Sequence, residues 1–420
     1  MRKDRISYIF SGNKNLCTGC GACVQVCSRH AISMQKDEEG FLFPDVDMTT
    51  CIDCGLCEMT CPVIGDHQQN SVDNNQKCYI ATTQDESSYK ESASIGICTM
   101  LSRNMVLRGG HVFGSFLDEN TWTARHIEVT DLQGVERIRN SKYLQSDTGL
   151  SFTKTQKLLL AGEKVLYIGT PCQIAGLKAF LRKPFDGLYT IDLFCHGVFS
   201  PLLMPYEVMY WEKMFDGKIC NFRFRSKRVY KHANGGMVNF DLQKGSKLKH
   251  IERFAGSSPT YRCFAYSGDG KYYNHRLSCY DCPFRSIKRY ADITVGDPWF
   301  VKDSHIQSPR LKSLNAVRSI YSINTPKGEK LIEGIRKELI EEEMSVDQAF
   351  CQPAVLPVHH EVPSLRYEIY NQINKEDYGL LVEKVLNCNL KKSHSQFHVQ
   401  YRKSEMKRIL KTIVLWNNMK

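Results

Sequence analysis

The sequence predicts an α+β N-terminal module, then an α/β body with parallel-sheet βαβ units, then a helical C-terminal tail. Three observations carry this. A C-x2-C-x2-C-x3-C run occurs twice within the first 65 residues. From residue 78 onward, short β-branched runs alternate with helical ones. Beyond residue 400, apolar residues recur at helical spacing opposite a basic face.

The first run is Cys17, Cys20, Cys23 and Cys27; the second is Cys51, Cys54, Cys57 and Cys61, followed by Pro62. Three thiolates two residues apart wrap a loop around one face of a cubane, and the fourth reaches the neighbouring cluster. The duplication therefore predicts two 4Fe-4S clusters in a ferredoxin-like module over residues 1–65. One cluster takes Cys17, Cys20, Cys23 and Cys61, the other Cys51, Cys54, Cys57 and Cys27. Zinc is the weaker alternative, because tetrahedral sites pair two Cys-x-x-Cys knuckles rather than runs of three plus one. Gly19, Gly21 and Gly55 suit loop positions with positive φ. Ser28 stands where the first repeat would carry proline. Residues 66–77, DHQQNSVDNNQK, are polar and without periodicity, and read as a linker.

A chain of 420 residues has room for two or three domains. The opening MRKDRISYIF lacks the apolar stretch of a signal peptide, and no run approaches the roughly 18 apolar residues of a spanning helix. The expectation is a cytoplasmic protein whose 18 cysteines are reduced or ligated. The net charge of +11 is uneven: residues 391–420 carry eight Lys/Arg against Glu405 alone, leaving 48 basic and 44 acidic residues elsewhere. That balance does not suggest a nucleic-acid partner.

The body divides into residues 78–160 and 161–350, with a basic tail over 351–420. Its most informative stretch is a strand KVLYIG, then Thr170, Pro171, Cys172 and Gln173, a helix IAGLKAFL, a strand LYTIDLF, and Cys195-His196-Gly197. Thr170 and Gln173 form a capping box with Pro171 at the first helical position. Cys172 then lies in a first helical turn, where the dipole favours thiolate over thiol. Cys172 and Cys195 fit one right-handed βαβ unit, each just beyond a strand's carboxyl end. With Cys279 and Cys282 of LSCYDCPF they make a tetrad for a third 4Fe-4S cluster. A buried small hydrophobe, a redox thiol or half a zinc knuckle remain open for these positions. FRFR at 222–225, with Lys227 and Arg228, reads as a basic insertion facing an acidic substrate or redox partner, or as a solvated hairpin. Trp299 stacks near a cofactor or belongs to the core.

The segments SASIGICTM, GSFLDE, NSKYLQSD, IGTPCQIAGLKAFL, DLFCHGVFSP, LSCYDCPF and ADITVGDPW together resemble the coenzyme F-420 hydrogenase/dehydrogenase beta-subunit family. The resemblance spans roughly residues 15–350. It implies FAD alongside iron–sulfur clusters, with Cys172, Cys195, Cys279 and Cys282 matching the family's cluster cysteines. It implies a flavin neighbourhood of Ser94, Gly96, Ser141, Lys142, Tyr143, Gln145, Gly169 and Thr170. Lys142 would hold a phosphate or the flavin's electron-rich edge, or else be a surface lysine at a strand end. Ser94 and Gly96 would open the first helix and offer amides to the pyrophosphate. Ile95 stands where the family has the first of two glycines, so its side chain would crowd the cofactor. His196 would move protons or cap a strand end.

The functional expectation is an iron–sulfur flavoprotein oxidoreductase. It would pass electrons between a ferredoxin-like donor or another redox protein, the 4Fe-4S clusters and FAD to a small-molecule substrate. The resemblance also offers surface-polysaccharide biosynthesis as a setting. The alternatives are an electron-transfer subunit without its own organic substrate, and a non-redox protein whose clusters are structural. In the tail, Met406, Ile409, Leu410, Ile413 and Trp416 share one helical face, while Arg402, Lys403, Lys407, Arg408 and Lys411 mark another. Such a helix suits peripheral contact with an anionic membrane, or docking on the body or a second subunit.

Overall fold

The computed structural model describes residues 7–65, 76–83, 85, 89–90, 92–225, 227–230, 236–313 and 317–417, with side chains as far as residue 410. Most of the expected linker, residues 66–75, lies outside the described residues, and Lys77 already opens a strand.

In the N-terminal module, strands β1 (Ile32–Lys36) and β2 (Leu42–Val46) form an antiparallel pair between the two cysteine runs. Short helices Ala22–Val26 and Leu56–Met59 follow the two Cys-x2-Cys-x2 turns, capped by Gly21 at φ 77° and Gly55 at φ 75°. Gly19 (φ 69°) and Asp53 (φ 54°) occupy equivalent places two residues earlier. The duplication is thus repeated in the backbone, with Asp53 adopting a conformation that glycine takes without strain.

The body is built on a nine-stranded sheet. Its strands are β3 (Lys77–Thr83), β4 (His111–Asp118), β5 (Thr123–Val129), β6 (Ser146–Asp147), β7 (Val165–Ile168) and β8 (Leu188–Leu193), with three more later in the chain. A separate antiparallel sheet intervenes, made of β9 (Lys218–Arg223), β10 (Met237–Lys244) and β11 (Lys247–Phe254). The large sheet is completed by β12 (Ile293–Gly296), β13 (Ser319–Ile323) and β14 (Leu339–Met344). Its order is β14-β3-β13-β12-β8-β7-β4-β5-β6.

Only β12, β8, β7 and β4 form the parallel centre, joined by a parallel β5–β6 pair at one edge. The remaining neighbours are antiparallel, so the sheet is mixed rather than parallel as expected. The reason is non-local. The helix Pro326–Glu333 connects β13 to β14, but β3 inserts between them and pairs antiparallel with both. The expected β7–helix–β8 unit is present, its helix running Pro171–Leu181. Val165, Leu166, Tyr167 and Ile191 are fully buried, as strands covered on both faces require.

The β9–β11 sheet packs with helices Leu203–Phe215, Leu365–Gln372 and Tyr378–Val385 around Trp211, Phe222, Phe224 and Phe240. This overturns the reading of FRFR as a basic surface. Phe222 and Phe224 are core, and Arg225 and Lys227 are buried as well. Arg225 pairs with Asp297, and the Lys227 ammonium donates to the carbonyls of Ser92, Ala93 and Ser94.

The tail helix Leu390–Asn417 docks by its first turns. Phe397 stacks on Phe254 with centroids 4.5 Å apart, and Tyr401 meets Tyr230 edge-on at 5.0 Å. Met406, Ile409 and Leu410 are exposed beyond that contact. The side chains of Lys411, Ile413 and Trp416 lie outside the described residues. Among the described residues, no helix is long and apolar enough to cross a membrane.

A candidate redox centre beyond the parallel strands

A cavity of about 270 Å³ opens beyond the carboxyl ends of the parallel strands, where open α/β sheets place their ligands. Gly169 to Cys172 follow β7, Phe194 to Gly197 follow β8, and Asp297 and Trp299 follow β12; all line the cavity. Cys279 and Cys282 arrive on the loop after residue 276 and face the same space. The four cysteines proposed as a tetrad therefore share one cavity and feel one another's charge. Among the described residues, no three His, Cys, Asp or Glu side chains close on a single metal ion.

Cys172 does sit in the first helical turn, and Gln173 accepts from the Thr170 amide at 3.0 Å as the capping box requires. The dipole does not govern its thiol, however. Burial pushes Cys172 up to about 11 and Cys195 up to about 12, and raises Cys279 and Cys282 as well. Helix-terminal stabilisation is worth about a kcal/mol, less than the cost of placing a bare thiolate in a dry site. These thiols need a cationic partner to ionise.

The surrounding charges fit an anionic cluster. Five arginines are buried among the described residues: Arg225, Arg276, Arg285, Arg289 and Arg366. Three have carboxylate partners, Arg225 with Asp297, Arg289 with Asp192 and Arg366 with Glu39. Arg276 and Arg285 have none among the described residues, and these two flank the tetrad. Arg285 donates to the carbonyls of His196 and Cys279, both at 2.8 Å. Arg276 donates to the carbonyl of Cys17 at 2.7 Å, with its charge felt at Cys172 and Cys279. Buried cations without an acid need another anion nearby, and a cubane held by four thiolates carries net negative charge. Neither arginine was singled out from the sequence. Their signal was available: each stands three positions outside the Cys279–Cys282 pair.

A second, smaller cavity of about 30 Å³ is lined by Cys17, Cys20, Cys23, Cys57 and Cys61. Cys61, which the repeat assigns to the first cluster, lies with the first run in this lining, as does Cys57. Thr18 and Gly19 line both cavities and form the wall between them. Cys54 is exposed.

Ser94, Gly96, Ser141, Lys142, Tyr143, Gln145, Gly169 and Thr170 all line the larger cavity. Two expectations about them change. Lys142 is neither a surface lysine nor a free phosphate ligand: its ammonium donates to the carbonyls of Ile138, Arg139 and Asn140 at 2.8, 2.6 and 3.1 Å. It thereby caps the carbonyl end of the helix Leu132–Ile138, and burial lowers it to about 7. Ile95 does not crowd the cavity. It is fully buried in the core with Ile97, Met100 and Leu101 and is absent from the lining. Gly96, at φ 91°, turns the chain between them and caps the helix Ile97–Leu107, whose first residues face the cavity.

At the mouth, His196 stacks on the exposed Trp299 at 5.4 Å, and burial lowers the histidine to about 4. His126, which sequence reasoning passed over, lies deeper in the lining. Its Nε2 faces the Ile168 carbonyl and its Nδ1 the Ser146 hydroxyl.

Comparison with known proteins identifies the two halves of this arrangement. Residues 162–348 match the family that describes the C terminus of the coenzyme F420 hydrogenase/dehydrogenase beta chain, and residues 16–64 match the 4Fe-4S dicluster domain. One component of the F(420)H(2) dehydrogenase of Methanosarcina mazei is 22% identical over 340 residues, 77% of this chain and 84% of that protein. A 7Fe ferredoxin of Hydrogenibacillus schlegelii is 38% identical over 64 residues, 15% of this chain and 76% of the ferredoxin. A chain of the F420-reducing [NiFe] hydrogenase complex from Methanosarcina barkeri aligns over 78% of this chain and 92% of its own length, with a TM-score of 0.40 and 15% identity. The chain thus carries, over residues 162–348, a C-terminal domain of the coenzyme F420 hydrogenase/dehydrogenase beta-subunit family and, over residues 16–64, a 4Fe-4S dicluster domain.

Proposed function

We propose that the chain is an iron–sulfur flavoprotein oxidoreductase that moves electrons between a redox protein and a small-molecule substrate. Two 4Fe-4S clusters would lie on Cys17 to Cys61, a third on Cys172, Cys195, Cys279 and Cys282, and FAD beside it. The observation that carries this reading is the shared wall. Thr18 and Gly19 separate the cavity of the first N-terminal cluster from the cavity lined by both the tetrad and the flavin neighbourhood. Bound clusters exchange single electrons, and FAD couples them to two-electron chemistry.

The chain's own groups suit these roles. The amides at the start of Ile97–Leu107 offer an anion site for a phosphate, with Ser94 and Gly96 shaping its entrance. Gly169 and Thr170 bring backbone close to the cofactor at the end of β7. Lys142 acts by tying down the loop at 138–140 rather than by touching phosphate. The His196–Trp299 pair leaves an aromatic face at the mouth, suited to a planar ring, and the dehydrogenase relative makes coenzyme F420 the first substrate to test. Cys54, with exposed Met48, Ile52 and Met59 close to it in the sequence, marks the surface for the redox partner.

The test is anaerobic purification with iron, sulfide and flavin quantification. About twelve iron atoms and one FAD per chain are expected. About eight iron atoms without flavin would overturn the third cluster and the enzyme reading together. Turnover of substrate with reduced ferredoxin alone separates the enzyme from a component that only relays electrons.

A further inference from the structure

We infer that Arg276 is an electrostatic bridge between the first N-terminal cluster and the third cluster, favouring the reduced state of both and so easing passage of an electron across the Thr18–Gly19 wall. This rests on the three-cluster reading and assigns a positioning residue within it.

Arg276 is 1% exposed. On the N-terminal side its Nε donates to the carbonyl of Cys17 at 2.7 Å, and its guanidinium lies 3.9 Å from the Phe43 ring centroid. Its Nη1 donates to Gln145 Oε1 at 3.3 Å, and the same oxygen accepts from the Leu42 amide at 3.0 Å. On the body side its carbonyl accepts from the Cys279 amide at 2.8 Å, and its own amide donates to the Val198 carbonyl at 2.9 Å in the loop after Cys195. Two buried donors remain without partners among the described residues, Arg276 Nη2 and Gln145 Nε2. Both side chains press on the wall: a Cβ at Gly19 would meet Gln145 Nε2 at 2.1 Å and Arg276 Cζ at 3.1 Å.

Three of the other four buried arginines are neutralised by carboxylates, so this chain ordinarily meets the desolvation cost of a buried guanidinium with an acid. Arg276 departs from that rule at the place where two cluster cavities adjoin. Reduction adds one negative charge to a cluster and no proton, so a fixed cation beside both sites favours their reduced forms. Arg285 does not serve this purpose, because its donors go to His196, Cys279 and Val358 and none reaches the N-terminal module.

The experiment is a potentiometric titration followed by electron paramagnetic resonance on the full chain, reconstituted anaerobically, comparing wild type with Arg276→Gln and Arg276→Lys. Iron near twelve per chain in wild type upholds the underlying reading. Its failure would be visible there, before any variant is made. In Arg276→Gln two cluster signals should become harder to reduce, each by at least about tenfold in reduced-to-oxidised ratio, or about 59 mV for one electron. Arg276→Lys should keep most of the wild-type behaviour. Unchanged midpoints in Arg276→Gln at full iron content overturn the bridge. Should that variant lose iron, Gln145→Glu places a carboxylate beside the guanidinium without removing it. The same downward shift is then expected, and unchanged midpoints overturn the proposal.

Discussion

Gly176, midway along Pro171–Leu181, lies against Cys20: a Cβ on it would stand 2.9 Å from the Cys20 sulfur and 3.0 Å from its Cβ. The helix that carries Cys172 in its first turn is thus seated directly on a cysteine of the N-terminal module. Cys20 shares an apolar cluster with Ile174, Ala175 and Leu177 of that helix. In a free helix, Gly→Ala gains roughly 0.5–1 kcal/mol. Here overpacking, commonly about 1–3 kcal/mol, outweighs that gain. Gly176→Ala should lower the melting temperature and loosen the module from the body. A raised melting temperature would refute the close seat.

Glu39 and Arg366 join the same module to the C-terminal part of the chain. Arg366 is fully buried, its Nε donates to Glu39 Oε1 at 2.9 Å, and its Nη2 bonds the other carboxylate oxygen. Removing one partner of such a pair leaves an uncompensated buried charge and costs about 3–5 kcal/mol. Glu39→Gln should therefore destabilise the fold far more than a surface exchange does, as denaturant unfolding would measure. Replacing both residues, Glu39→Leu with Arg366→Met, should recover much of the loss, since apolar substitutes remove the orphaned charge.

Which features could be read in advance follows from how local their causes are. The cysteine runs, the capping box at Thr170 and Gln173 and the β7–helix–β8 unit depend on neighbours within about 25 residues. The mixed sheet depends on β3 entering between β13 and β14 from more than two hundred residues away, which no local pattern announces. FRFR misleads because its period-2 alternation resembles a half-exposed strand. The side that should meet water is covered instead by Asp297 and the carbonyls of residues 92–94. Lys142 is similar: what its ammonium meets is decided by how the helix Leu132–Ile138 ends.

Ile95 separates packing from cofactor binding. Its side chain lies in the core and its amide donates to Ser319 Oγ at 3.3 Å, while Ser94 and Gly96 on either side line the cavity. Ile95→Ala should cost about 2–5 kcal/mol through the hole it leaves. Flavin content per folded chain should not rise. An increase in bound flavin, measured after heat release and quantified by fluorescence, would show that Ile95 does obstruct the cavity.

The buried thiols give a pH dependence that distinguishes the apo chain from the loaded one. Burial pushes Cys78 and Cys172 up to about 11, and Cys98 and Cys195 up to about 12, from 9.0. The folded apo chain therefore holds these protons more tightly than the unfolded chain. That contribution is complete below about pH 9 and is lost as pH rises through 11 to 12. Apo protein should lose melting temperature steadily above pH 9. Once Cys172 and Cys195 bind a cluster they are thiolates at every pH in this window, so their share of the alkaline loss disappears while thiols outside the clusters, such as Cys78 and Cys98, still contribute. The loaded chain should accordingly show a shallower decline, with stability instead falling in acid as ligand thiolates are protonated. Parallel melting curves from pH 7 to 11 for apo and anaerobically loaded protein decide the matter: equal alkaline slopes would mean that Cys172 and Cys195 keep their protons and hold no cluster.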